Sequence, residues 1–197
     1  MSIDYRELYD LFESLSPLDA DCGRACAIGG VAACCAANGP DGENSGMRLF
    51  PGEEDMLGLT APEEGVIPFP SGLRVIPRAA GRGRLLVCAG RCRRDLRPLA
   101  CRFFPLYPCL TQEGTIRAAY DPRGWRLCPL VRFSGAIRLQ TPFVRAVRRA
   151  GVLLAADPAC REVLREQTAE IDEANRFLLL DRQRPPQCRR GRRMPSP

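Results

Sequence analysis

The chain has 197 residues, 45% of them hydrophobic, and 11 cysteines, but no histidine and no lysine, so all 29 basic residues are arginine. That length and apolar content suffice for one domain with its own core and no disulfide staples. The missing side chains exclude Cys2His2 and Cys3His zinc sites, histidine general bases and lysine Schiff bases. The net charge of +6 is local: residues 182–197 hold six arginines and no acid, and residues 1–181 hold 23 arginines against 23 acids.

In chain order, Ile3, Leu8, Leu11, Phe12 and Leu15 fall at helical spacing with Asp4, Glu7, Asp10 and Glu13 mostly between them. This predicts an amphipathic helix over 3–15, stopped by Ser16-Pro17. These acids stand where a secretory signal would need a basic start and an apolar run. No purely apolar run comes near the about 20 residues that a membrane span needs. The expectation is a cytoplasmic protein, without a membrane segment, whose thiols stay reduced. Residues 20–40 are rich in Gly and small side chains with no persistent period, and read as a loop carrying Cys22, Cys26, Cys34 and Cys35. Met47 to Phe50 reads as a short strand. P-G-E-E-D-M-L-G reads as a one- to two-turn helix with Pro51 at its start and acids in the first turn, as the helix dipole favours. Residues 60–72 read as linker, and Leu73–Ile76 and Leu85–Cys88 as short strands either side of an A-A-G-R-G-R turn, which matches no nucleotide-binding glycine motif.

From Cys88 to Pro108 the chain runs C-A-G-R-C-R-R-D-L-R-P-L-A-C-R-F-F-P-L-Y-P, with Cys88, Cys92 and Cys101 set among arginines and prolines. Each proline fixes φ and removes an amide donor, so the stretch reads as a stiff ligand loop. It belongs to a second ligand region over 88–130 that includes a strand at Gly114–Tyr120 and ends with Cys128 in W-R-L-C-P. Thr141-Pro142 then opens a helix to about Ala156, with Thr141 as N-cap, and Asp157-Pro158 a second to about Leu180. Cys160, Val163, Leu164, Gln167, Ile171, Ala174 and Leu178 form a near-heptad seam on the second, so the two pack as a hairpin over 142–180. The tail R-Q-R-P-P-Q-C-R-R-G-R-R-M-P-S-P lacks apolar content and reads as disordered. The expected fold class is α+β, small and irregular: a Cys-rich loop core with short strands, an N-terminal helix and a C-terminal helical hairpin, as a single domain over 1–181.

Thiolate ligands must converge to within about 2.3 Å of a metal, and sequence motifs achieve this by placing two sulfurs on one turn. Cys22-x3-Cys26 and Cys88-x3-Cys92 are such pairs. Cys34 and Cys35 are adjacent, so their side chains diverge and do not suit one ion symmetrically. Eight cysteines (Cys22, Cys26, Cys34, Cys35, Cys88, Cys92, Cys101, Cys128) suffice for two four-thiolate sites, or for one cluster with further thiols beside it. Cys160 reads as a core residue and Cys188 as incidental to the tail; Cys109 is open between these roles and ligation.

The order C-x3-C…C-C, then M-R-L-F-P-G-E-E-D-M-L, then C-x3-C-x4-R-P-L-A-C-R-F-F-P, then Cys128, resembles the bacterial cysteine-cluster family of the YkgJ type. That family is described as a zinc- or iron-chelating domain, and the flagellin lysine methylases are related to it. The resemblance spans about residues 20–130, and its most specific part is R-P-x-x-C-R-x-F-P at Arg97 to Pro105. It implies that the same eight cysteines ligate metal. The family's first cluster runs close to C-x2-C-x3-C-C, whereas this chain has C-x3-C-x7-C-C, with A-I-G-G-V-A-A inserted.

Two functions follow. One is a metal-binding protein that holds an iron–sulfur cluster, foremost 4Fe-4S, or zinc, with room for a protein partner. The alternative is a protein-modifying enzyme resembling flagellin lysine N-methyltransferase and using S-adenosylmethionine. Against the enzyme stand the lack of a C-x3-C-x2-C triad, of a glycine-rich nucleotide loop, and of any His or Lys base. Nucleic-acid binding through the arginine tail lacks an aromatic platform beside the charges. Deleting residues 182–197 is expected to leave the unfolding midpoint and the metal content unchanged, since the tail has no apolar face to contribute; loss of metal on truncation would make Cys188 a ligand.

Overall fold

The computed structural model describes residues 3–28, 31–36, 46–58, 73–79, 81–87, 97–134 and 136–178. The 60–72 linker, the arginine tail, Cys88, Cys92 and Cys188 lie outside the described residues. The architecture is mixed α+β, with short strands in small antiparallel sheets and a helical hairpin at the C-terminal end. In chain order come α1 (Tyr5–Asp10), α2 (Cys22–Ala25), β1 (Ala27–Ile28), β2 (Val31–Ala32), α3 (Ala33–Ala36), β3 (Gly46–Leu49), α4 (Glu53–Met56), β4 (Leu73–Arg78) and β5 (Gly81–Val87). Then follow α5 (Leu99–Phe103), β6 (Leu106–Leu110), β7 (Ile116–Tyr120), a 3-10 turn (Pro122–Gly124), α6 (Pro129–Arg132), α7 (Thr141–Ala155) and α8 (Pro158–Leu178).

The core is built on β6, every residue of which is buried. It pairs antiparallel with β7, from Leu106 opposite Tyr120 to Leu110 opposite Ile116, and the α7–α8 hairpin packs against it. Pro108 has no amide to donate, which a strand with only one paired neighbour tolerates. α8 satisfies groups at the ends of this ribbon with side chains: Thr168 Oγ1 accepts the Leu110 amide at 2.9 Å, and Asn175 Nδ2 donates to the Tyr120 carbonyl at 3.1 Å. Phe12, Phe50, Phe103 and Phe143 fill the other end, with Phe12 and Phe103 edge to face at 5.4 Å between centroids. The second sheet, ordered β3-β5-β4, has a much smaller apolar cluster of Leu49 and Leu86. It meets α8 through ion pairs, Arg78 with Glu166 and Arg48 with Glu170. Among the described residues no helix is long and apolar enough to cross a membrane.

Four elements differ from their sequence-based outlines. The N-terminal helix ends at Asp10 rather than Leu15; beyond it Phe12 donates to Tyr9 O and Leu15 to Phe12 O, a tightening that swings Phe12 into the aromatic cluster. The A-A-G-R-G-R turn is mostly strand: β5 starts at Gly81, whose φ of +118° makes the reversal, and Gly83 leaves room for the Arg78 side chain to cross toward Glu166. The proline-rich stretch is not uniformly a loop, because α5 and β6 form between Pro98 and Leu110, where Leu99, Phe103 and Leu106 are wholly buried. Tertiary burial there overrides local stiffness. At the hairpin, Gln140 rather than Thr141 is the N-cap of α7, with Thr141 and Pro142 inside its first turn.

Gly151 sets how closely α7 approaches the ribbon. A Cβ there would lie 2.6 Å from Pro108 Cβ and 2.7 Å from Ile116 Cγ2. Alanine in a helix gains about 1 kcal/mol over glycine, but overpacking a buried contact costs about 1–3 kcal/mol. Gly151→Ala is therefore expected to destabilise, by about 2–4 °C in Tm for each kcal/mol lost; thermal unfolding followed by circular dichroism checks this, and a higher Tm would refute the close approach.

Candidate metal centre

Five cysteines from three separated parts of the chain line one cavity of about 80 Å3: Cys22, Cys26, Cys34, Cys101 and Cys128. One water needs about 10–15 Å3 by this kind of measure, so the space exceeds that for a single small ligand.

The first two thiols share one helical turn. Asp21 caps α2 by accepting the Gly23 amide at 3.0 Å, and Ser16 Oγ accepts the Cys22 amide at 3.3 Å while donating to Ala20 O. Cys26 ends the helix with its amide bonded to Cys22 O at 3.3 Å, so the x3 spacing puts both residues on one face. The A-I-G-G-V-A-A segment between Cys26 and Cys34 supplies the next step: β1 and β2 pair with Ala27 opposite Ala32 and Ile28 opposite Val31, and this two-stranded ribbon turns the chain back toward α2. α3 then carries Cys34 to the cavity wall. Cys35 is half-buried and is not part of the wall, which is the divergence expected of adjacent residues.

The other two thiols come from the folded core. Cys101 lies on α5, flanked by Arg97 and Arg102, which also line the cavity. Arg102 Nε donates to Arg97 O at 2.8 Å, and its guanidinium carbon sits 4.2 Å from the ring centroid of Tyr9, a cation–π contact. Cys128 is delivered by the 3-10 turn, with its amide bonded to Gly124 O at 2.7 Å, and caps α6. Gly124 is required there, because a Cβ would meet Val131 at 2.7 Å and Phe104 at 2.8 Å.

Burial pushes the Cys22 thiol up to about 12, and the charges of Cys26, Cys128, Cys34 and Asp21 push the same way. Cys128 is also raised, first by burial and then by Cys26 and Cys34, against the backbone amides of Val131 and Leu130 that favour its thiolate. The thiols of the two segments therefore feel one another. Among the described residues Cys22, Cys26, Cys34, Cys35, Cys101, Cys109, Cys128 and Cys160 are free thiols, and no three Cys, Asp or Glu side chains are already disposed to grip one ion. Of the eight predicted ligands, five meet at the cavity, Cys35 stands beside it, and Cys88 and Cys92 lie outside the described residues. Cys109 and Cys160 are both 0% exposed, in the core; Cys160 Sγ lies 3.5 Å from Tyr5 Oη.

Glu53 is a residue the sequence did not single out. It is 0% exposed, accepts the Tyr9 hydroxyl at 2.9 Å and the Leu99 amide at 2.6 Å on Oε1, and accepts the Phe50 amide at 3.0 Å on Oε2. Nothing in P-G-E-E-D-M distinguishes it from Glu54, since its partners lie up to 46 positions away. Comparison with known proteins returned no matching family model, curated protein or solved structure.

Burial raises the Glu53 carboxyl from near 4.5 to about 7, against the pull of its three donors. The unfolded chain ionises near the ordinary value while the folded chain keeps its proton, so stability from this group is full below pH 4.5 and falls as pH rises to about 7. The loss is on the order of 3 kcal/mol. Denaturant unfolding from pH 4 to 8 is expected to show this decline in the native sequence and to lack it in Glu53→Gln; equal slopes for the two would refute the assignment.

Proposed function

We propose that the protein binds a thiophilic metal, as zinc or as an iron–sulfur cluster, through cysteine thiolates at this cavity. The observation that carries the reading is the meeting of Cys22, Cys26, Cys34, Cys101 and Cys128 from three distant segments at one place. Core packing does not account for it. The thiols that merely fill the core, Cys109 and Cys160, are each wholly buried, whereas four of the cavity thiols are half-buried or exposed and Cys128 alone is buried.

The donor set suits soft cations. Calcium and magnesium take oxygen ligands, and among the described residues Asp21 is the only carboxylate on the cavity wall. Four thiolates around a divalent ion carry a net charge of -2, and the same charge belongs to an oxidised cubane cluster. Arg97 and Arg102 oppose that charge from the wall. Bound metal would supply either a cross-link between the segments or a store for one electron. The chain's own residues set the frame: Ser16 and Asp21 orient α2, the β1–β2 ribbon returns Cys34, and Pro98 starts the turn that carries Cys101. A reducing, cytoplasmic setting is part of the proposal, because the thiolates must stay unoxidised.

Binding energy at a thiolate site is in part folding energy, and here it falls on one side of the site. α5 is anchored by Leu99 and Phe103, while among the described side chains of residues 20–36 only Ala33 is buried. Metal therefore orders the 20–36 segment more than α5. Purified anaerobically, the native sequence is expected to carry iron with colour or zinc without it. Cys101→Ser is expected to lose the metal and gain proteolytic cleavage within 20–36, and Cys160→Ser to keep its metal. Metal analysis of all three decides: no metal in the native sequence, or loss confined to Cys160→Ser, would overturn the reading.

A further inference from the structure

We propose that Glu53 is the positioning residue of the thiol site, holding α5, and with it Cys101 and Arg102, at the cavity wall. The purpose of this arrangement rests on the metal-binding reading; its geometry does not. α5 begins after Pro98, which has no side-chain group to cap it, so the Leu99 amide is an orphan donor of the first turn. Glu53 supplies the missing acceptor at 2.6 Å from outside the helix.

Cys101 lies two residues further along the same turn. Its amide and that of Arg102 both bond to Pro98 O, at 2.9 and 3.1 Å, so the turn moves as a unit with Leu99. The Arg102 guanidinium stacks on Tyr9, whose hydroxyl is bonded to the same Glu53 oxygen. One carboxylate thus fixes both the thiol and the cation that α5 presents to the cavity. Glu53 is itself fixed at the start of α4, where Gly52 at φ +84° turns the chain inward and the Phe50 amide holds Oε2. A buried apolar residue would fill the space and leave the Leu99 amide without an acceptor, a loss felt first at the start of α5.

The test uses reduced, metal-free, full-length protein and measures the iodoacetamide alkylation rate of each cysteine by mass spectrometry. Cys109, wholly buried in β6, reports global opening. Glu53→Gln keeps an amide oxygen for Leu99 and Tyr9, and its Cys101 rate is expected within about threefold of the native one; Glu53→Met is expected to raise Cys101 at least about tenfold relative to Cys109. Zinc titration of the same proteins is expected to give about 10–100-fold weaker binding for Glu53→Met and a smaller change for Glu53→Gln, as for other residues that orient a ligand. If Glu53→Met does not fold, Glu53→Asp replaces it, since its shorter side chain cannot span the Phe50 and Leu99 amides together. An unchanged Cys101 rate in the folded variant, or Cys101 and Cys109 rising in parallel, overturns the proposal and leaves Glu53 a core-stabilising group. Absence of both zinc binding and reconstitution of an iron–sulfur cluster in the native sequence, with a selective Cys101 response, upholds the placement and removes the metal reading.

Discussion

Glu53 has no contact with solvent, and its three donors belong to α1, to the turn after β3 and to the start of α5. A buried carboxyl is tolerated only when its oxygens are hydrogen-bonded, so these three segments must assemble together or not at all. The aromatic cluster depends on the same assembly: Phe12 follows α1, Phe50 precedes α4, and Phe103 closes α5, and all three rings meet in the core. The polar contact adds to the edge-to-face packing of the rings a hydrogen-bonded constraint on the register of the three segments.

The thiol cavity lies at the margin of this assembly, and its two halves are made differently. Cys101 and Cys128 sit on elements whose neighbours are deeply buried, so their backbones are held by the core. Cys22, Cys26 and Cys34 sit on one-turn helices and a two-residue ribbon with little apolar surface of their own. Burial, and after it the incipient negative charge that the two halves bring together, raises the Cys22 and Cys128 thiols. On the proposed reading, a bound cation would relieve that repulsion and tie the lightly packed half to the rigid one.

Elsewhere, arginines do structural work within a neutral body. The β3-β5-β4 sheet has too small an apolar cluster to hold itself against α8, and Arg78–Glu166 and Arg48–Glu170 make the connection instead. Arg78 and Glu166 are only 10% and 12% exposed, so this pair is less screened by solvent than an ordinary surface bridge. Arg117 and Asp172 add a similar link between β7 and α8.

By itself the sequence determined the helical hairpin, a strand within 114–120, the short acidic helix after Pro51 and the core role of Cys160. Each of these rests on periodicity or on a local start signal such as Thr-Pro or Asp-Pro. It also marked the cysteines that meet at the cavity, because sulfur clustered in loops is a compositional signal that needs no coordinates. Tertiary structure decided what local patterns do not encode. Burial of Leu99, Phe103 and Leu106 made a helix and a strand out of a proline-rich stretch. The segment between Cys26 and Cys34 became a ribbon, since pairing of Ala27 with Ala32 is visible only once the chain has turned. Glu53 was chosen over its neighbour Glu54 by partners that are distant in sequence and adjacent only in the fold, which is why no pattern along the chain could have announced it.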